Sequence, residues 1–301
     1  MKPYLITLVL MLLWPFEAYA DNKLYRDDKT EIRYHLNNPD ADNLLVVFQG
    51  SDCNSVRHMS SVKTIWQVLA PDAALLTVEK YGIDENLSYV QGERDDCPAS
   101  YLEHDSMAQR IKDGVRVIKA LQDSYDEVTL VGGSEGGSIA LAVAAQVTGL
   151  HAVLALNSGS SSFQHDIEYS IRKTLPDSAR ESVLQGFRQF AEQIAASQQA
   201  FPIEVSGHGY AFWKDALTRD LIAPLHDINA PVLIMQSAED KSVDPEMTQA
   251  EVASIIGNGA SNVKFKMLPG LNHGFRDTTG TSKLSAVVAE AAAILEGVDG
   301  E

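Results

Sequence analysis

The chain has 301 residues, of which 45% are hydrophobic and 22% charged, enough to bury the core of one large domain. A net charge of −17 sets its surface against phosphate backbones and anionic lipid heads, which disfavours nucleic-acid and membrane-surface binding as functions. Histidine, cysteine and carboxylate residues do not cluster at metal-ligand spacing, so neither a metal nor an organic cofactor is expected.

The first twenty residues read as a secretory signal peptide. Lys2 supplies a positive start, Tyr4 to Trp14 form an apolar run too short to span a bilayer, and Ala18-Tyr19-Ala20 is a small-residue cleavage site. The mature chain then begins near Asp21; cleavage removes Lys2 and Glu17 together, so the net charge stays at −17. No later stretch is long and apolar enough to cross a membrane. The expected product is exported, periplasmic or secreted, with no stable membrane anchor. Cys53 and Cys97 are the only cysteines, an even count in an exported chain, and are expected to form one disulfide.

Residues 21–301 read as a single α/β domain. Glu31 to Leu36 alternates as a half-buried strand, and Asn37-Asn38-Pro39-Asp40 is a turn. Asn43 to Phe48 is a continuous apolar run, the pattern of a central parallel strand, and ends in Gln49-Gly50-Ser51-Asp52-Cys53. A helix over Val56 to Leu69 and a strand over Ala73 to Val78 follow. After a polar segment, Met107, Ile111, Val115 and Ile118 recur at helical spacing within a helix from about Asp105 to Leu121. Val128 to Val131 is a strand that runs into Gly132-Gly133-Ser134-Glu135-Gly136-Gly137 and then a small-residue helix. Ala152 to Leu156 is the next buried strand.

Regular alternation stops from about 158 to 228, where a helical lid insertion is expected. Val183, Phe187, Phe190, Ala191 and Ile194 make one helical face there, behind a capping box of Ser178 and Glu181. Alternation resumes with a strand at Pro231 to Met235, a helix near Pro245 to Ile256, a strand at Val263 to Met267, and a helix from about Ser282 to Glu296 ended by Gly297. Strands alternating with helices imply a mostly parallel sheet flanked by helices, with reactive loops at the strand carboxyl ends.

Ser134, Asp240 and His273 fall at three such ends. The G-x-S-x-G turn between strand and helix lifts its serine out of the sheet. A serine hydroxyl needs a base to attack a carbonyl, and the base needs a carboxylate to fix its tautomer. Asp240 follows the strand at Val232 to Met235, whereas Asp244-Pro245-Glu246 looks like a helix cap and Glu239 is a weaker rival. His273 lies in a glycine-flanked loop after a strand; His208 precedes the acid and belongs to the insertion. An oxyanion needs two fixed N–H donors, one from the residue after the nucleophile, Glu135, and one from an earlier loop, where Ser51 is the candidate. The Glu135 side chain is free to meet a cationic substrate group, with solvation or a structural hydrogen bond the plainer role.

These motifs, in this order from Glu31 to Glu296, resemble those of α/β-hydrolase-fold serine hydrolases, the superfamily of esterases, dienelactone-hydrolase-like and prolyl-oligopeptidase-like enzymes. The resemblance implies an α/β-hydrolase fold with Ser134, Asp240 and His273 as triad and Ser51 with Glu135 as oxyanion hole. Gln49-Gly50 departs from the common His-Gly, and no Gly-Gly-Gly run is present. The implied strand order also brings the loops of Cys53 and Cys97 to one edge. The expected function is hydrolysis of a small-molecule acyl substrate, a carboxylic ester or else a thioester or amide, through an acyl-enzyme. A prolyl-oligopeptidase-like peptidase and a non-catalytic binding protein on the same scaffold are the alternatives. The natural substrate and the oligomeric state are not written in the sequence.

Overall fold

A computed structural model describes residues 20–92 and 94–297. The expected signal peptide lies outside the described residues, apart from Ala20. In chain order the strands are β1 (Ala20–Tyr25), β2 (Glu31–Asn37), β3 (Asn43–Phe48), β4 (Ala74–Val78), β5 (Glu127–Gly133), β6 (Ala152–Leu156), β7 (Val232–Ser237) and β8 (Val263–Leu268). They form one eight-stranded sheet in the order β1-β2-β4-β3-β5-β6-β7-β8. Pairing is parallel from β4 across to β8, and β1 and β2 are antiparallel at one edge.

The apolar run of β3 is continuous because both faces of the sheet are covered. Leu44, Val46 and Phe48 point to one layer, Leu45 and Val47 to the other. Successive side chains of a strand alternate in direction, so a strand buried on both sides reads as a near-continuous apolar run rather than an alternating one. On the first face pack α3 (Met107–Leu121), α4 (Glu135–Ala144) and α8 (Pro245–Gly257); on the second lie α1 (Ser60–Leu69) and α9 (Leu284–Leu295). A short helix, α2 (Ala99–His104), precedes α3. Between β6 and β7 the chain makes α5 (Phe163–Thr174), α6 (Asp177–Ala196) and α7 (Tyr210–Ala216).

Several local expectations are corrected. β1, for which polar Asp21-Asn22-Lys23 gives no strand signal in the sequence, forms at the sheet edge by antiparallel pairing with β2. The helix expected over Val56 to Leu69 divides into a 3-10 turn at Val56–His58 and α1. The helix expected from Asp105 starts at Met107, because the Ser106 hydroxyl caps it by accepting from Gln109 N at 3.1 Å. Ser178 caps nothing: α6 begins at Asp177 behind Pro176, so Ser178 and Glu181 both lie inside the helix. Val183 is 41% exposed, and the buried face passes instead through Leu184, Ala191 and Ile194. Asp244 is the cap expected of α8, accepting from Glu246 N and Met247 N, both at 3.1 Å. Gly297 ends α9 at φ +72°.

Cys53 and Cys97 are bonded, with Cα atoms 5.8 Å apart. Because β3 and β4 are parallel neighbours, the loops that leave their carboxyl ends meet at one edge, and the bond ties them together.

Candidate active site

The turn between β5 and α4 holds Ser134 at φ +54°, ψ −133°, a conformation that a non-glycine residue keeps only when its surroundings impose it. Those surroundings are crowded backbone. A Cβ on Gly132 would come to 1.9 Å from the Gly136 carbonyl oxygen, and one on Gly136 to 2.3 Å from that of Phe48. Glycine at both positions therefore lets the start of α4 pass directly over the ends of β5 and β3. Ser134 N is pinned to Leu156 O at 2.8 Å, leaving the hydroxyl facing the strand ends.

His273, in the loop after β8, brings its Nε2 to 3.1 Å from Ser134 Oγ and its Nδ1 to 2.7 Å from Asp240 Oδ2. Asp240 is 2% exposed, and its other oxygen accepts from Ser242 N at 2.8 Å and Val243 N at 3.1 Å. Gln236 Nε2 donates to Oδ2 from 3.1 Å. The carboxylate is thus fixed from three sides while one oxygen faces the imidazole. Asn157, at φ +49°, donates to the His273 carbonyl at 2.8 Å and accepts from Ser237 N at 2.7 Å, which anchors the histidine loop to β6 and β7. The rivals lie elsewhere: Glu239 is exposed, Asp244 caps α8, and His208 sits 5% exposed just before α7.

The loop after β3 passes beside Ser134. A Cβ on Gly50 would lie 3.4 Å from that of Ser134. Ser51, one residue on, donates its hydroxyl to Glu135 Oε2 at 2.7 Å, so the two proposed donor residues are joined side chain to side chain. The Glu135 side chain is not available to a substrate: its other oxygen pairs with Arg110. Burial raises the Glu135 carboxyl, but Arg110, Lys80, His208 and the Ser51 hydroxyl together hold it down at about 2. Arg110 also donates to Gln49 O, and Lys80 donates to Gly50 O at 2.8 Å and to Asp52 O.

Around this group the interior is unusually ionic. Lys80 is 3% exposed, and burial with the nearby Arg110 lowers its pKa. Asp105 is 2% exposed, neither of its oxygens has a hydrogen-bond partner among the described residues, and burial pushes it up to about 7 against the pull of Lys80 and Arg110. His208 shares a 3.0 Å hydrogen bond with Tyr101 and is driven down to about 4 by burial, so its imidazole is neutral at pH 7. Lys80, Asp105, Arg110 and Asn157 are not legible in the sequence as site residues. Arg110 alone leaves a trace, since it stands three residues after Met107 and seven before Val117 on the buried side of α3.

A cavity of about 730 Å3 opens beside Ser51 and is walled by Phe163, Phe187, Phe190 and Trp213 of α5, α6 and α7, with His208 and Val205 at its side. Phe190 and Trp213 meet edge to face at 5.2 Å, so part of this aromatic surface is packing rather than free wall.

A family model described as alpha/beta hydrolase family matches residues 62–279. No curated protein matches the chain in sequence. Among solved structures, an esterase of Pyrococcus furiosus superposes with a TM-score of 0.58 at 11% identity, over 94% of this chain and 91% of that one. Est1E of Butyrivibrio proteoclasticus with ferulic acid bound gives 0.57 at 17% identity, over 92% of this chain and 100% of its own. A puromycin-hydrolysing peptidase of Mycobacterium tuberculosis gives 0.57 at 15% identity, over 92% of this chain and 39% of its own. At these identities the likeness is one of fold.

Proposed function

Because the chain belongs to the alpha/beta hydrolase family, we propose that it is a serine hydrolase cleaving a carboxylic ester through an acyl-enzyme on Ser134. The observation that carries this reading is the continuous hydrogen-bonded line from Ser134 Oγ through the His273 ring to Asp240, at 3.1 and 2.7 Å. His273 Nε2 takes the hydroxyl proton as Oγ attacks the acyl carbonyl, and Asp240 holds Nδ1–H and stabilises the imidazolium. The backbone N–H groups of Glu135 and Ser51 receive the oxyanion. Collapse breaks the acyl–oxygen bond, His273 returns the proton to the leaving alcohol, and a water activated by the same imidazole releases the acid and regenerates Ser134.

The segment 158–228 serves in this reading as a lid, and its aromatic cavity next to Ser51 receives an uncharged, apolar acyl group. The reaction takes place outside the cytoplasm. The leader-like sequence at residues 1–20 and the Cys53–Cys97 bond support export, and no helix among the described residues is long and apolar enough to cross a membrane.

Initial rates on p-nitrophenyl esters graded from acetyl to phenylpropanoyl, with the matching anilides, test the proposal. Aryl and medium-length acyl esters are expected to be turned over, anilides far more slowly, and Ser134→Ala to lose all activity above background. Faster cleavage of anilides than of esters would transfer the assignment to a peptidase.

A further inference from the structure

Resting on the reading of Ser134 as an acyl-transfer nucleophile, we propose that Lys80 is a positioning residue that aims the Ser51 N–H of the oxyanion hole. Lys80 follows the carboxyl end of β4, and its ammonium lies buried beneath the loop Gln49 to Asp52. It donates to two carbonyls of that loop, Gly50 O at 2.8 Å and Asp52 O.

The described chain contains no cis peptide, so the unit joining Gly50 to Ser51 is planar and trans, and its C=O and N–H point in opposite directions. Holding Gly50 O against the ammonium therefore turns Ser51 N–H away from the buried cation. The loop residue just before it packs against Ser134: a Cβ on Gly50 would lie 3.4 Å from the Ser134 Cβ and 3.9 Å from its Oγ. A charge-assisted hydrogen bond on the carbonyl both fixes the plane and polarises the amide, which makes the N–H a stronger donor to developing negative charge.

The other side of the loop is held independently. Arg110 takes Gln49 O and the Glu135 carboxylate, which in turn accepts the Ser51 hydroxyl. This pairing sets the spacing between the loop and the first residue of α4, whereas Lys80 sets the tilt of the donor peptide. Among the described residues the hydrogen-bond acceptors of the Lys80 ammonium are these two carbonyl oxygens, and the ammonium also lies 5.8 Å from the centre of the Tyr101 ring.

Lys80→Met, close in size but unable to donate, tests the assignment in the full mature protein. For folded Lys80→Met, kcat on the best ester is expected to fall about 10- to 100-fold, somewhat less than the loss of a whole oxyanion donor, with KM within about twofold of wild type. The Ki of a trifluoromethyl ketone analogue, whose serine adduct carries an oxyanion, is expected to rise by the same factor as kcat falls. Lys80→Gln keeps N–H donors but loses the charge, and should lie between wild type and Lys80→Met; it is the variant read if Lys80→Met does not fold. Unchanged kcat and Ki in a folded variant, with only the melting temperature lowered, would overturn the assignment. So would a Ki that follows KM rather than kcat. A wild-type protein that neither hydrolyses esters nor binds the ketone would instead overturn the reading of Ser134.

Discussion

Asp240 and Asp244 lie four residues apart in one loop, and what separates them is the number and kind of partners. Asp244 satisfies the first N–H groups of α8, whereas Asp240 gives one oxygen to two backbone N–H groups and the other to His273. Asp240→Asn keeps an oxygen for Ser242 and Val243 but can present an amide N–H to His273, which favours the wrong tautomer. A fall in kcat of about 10^4 is expected, with the melting temperature little changed. Asp244→Asn, still a good cap, should keep near-wild-type kcat. Equal losses from the two variants, measured on one ester, would remove Asp240 from its role. Both carboxylates are visible in the sequence, and a proline after Asp244 is enough to separate them. The ionic group under the loop from Gln49 to Asp52 is not visible there, because a lysine, an arginine and an aspartate read as surface until the fold buries them together.

At the level of elements, the site depends on loops at the carboxyl ends of β3, β4, β5, β7 and β8, and the sheet order is what gathers them. The strands buried on both faces stand out in the sequence as apolar runs, and the elbow stands out through glycines that backbone crowding requires. β1 does not, since its polar Asp21-Asn22-Lys23 gives no strand signal and it forms by pairing with β2, and the start of α6 misleads because Ser178 and Glu181 match a capping pattern inside the helix rather than ahead of it. The Cys53–Cys97 bond joins two of the gathered loops across a sequence separation of 44. Closing a loop of that length is worth about 4 kcal/mol in the chain-entropy model. Cys53→Ser with Cys97→Ser is therefore expected to lose about that much stability in urea titration and to lower kcat, since Cys53 lies two residues from Ser51. Full activity in the double variant would show that the loop is held without the bond.

Across the whole molecule the charge is strongly negative outside and closely paired within, and Asp105 is where the pairing is incomplete. Its folded pKa of about 7 lies above the usual 3.8, so between those values the folded state binds more protons than the unfolded one. Its contribution to stability therefore falls as pH rises from about 4 to about 7 and stays lowered above that. Asp105→Asn removes this dependence: the variant should gain about 2 kcal/mol at pH 5 and about 4 kcal/mol at pH 8, since each pH unit between the unfolded and folded values carries about 1.4 kcal/mol. Denaturant titrations at the two pH values check this; an equal change at both would mean that Asp105 is not charged at the cost of stability. In the proposed mechanism the whole arrangement serves the Ser134 oxygen, and the measurement that reaches it most directly is the intact mass of the mature protein after reaction with a fluorophosphonate. A single adduct is expected, mapped by peptide sequencing to Ser134 and absent from folded Ser134→Ala; an adduct on another residue, or none on the wild type, would contradict the assignment of Ser134 as nucleophile.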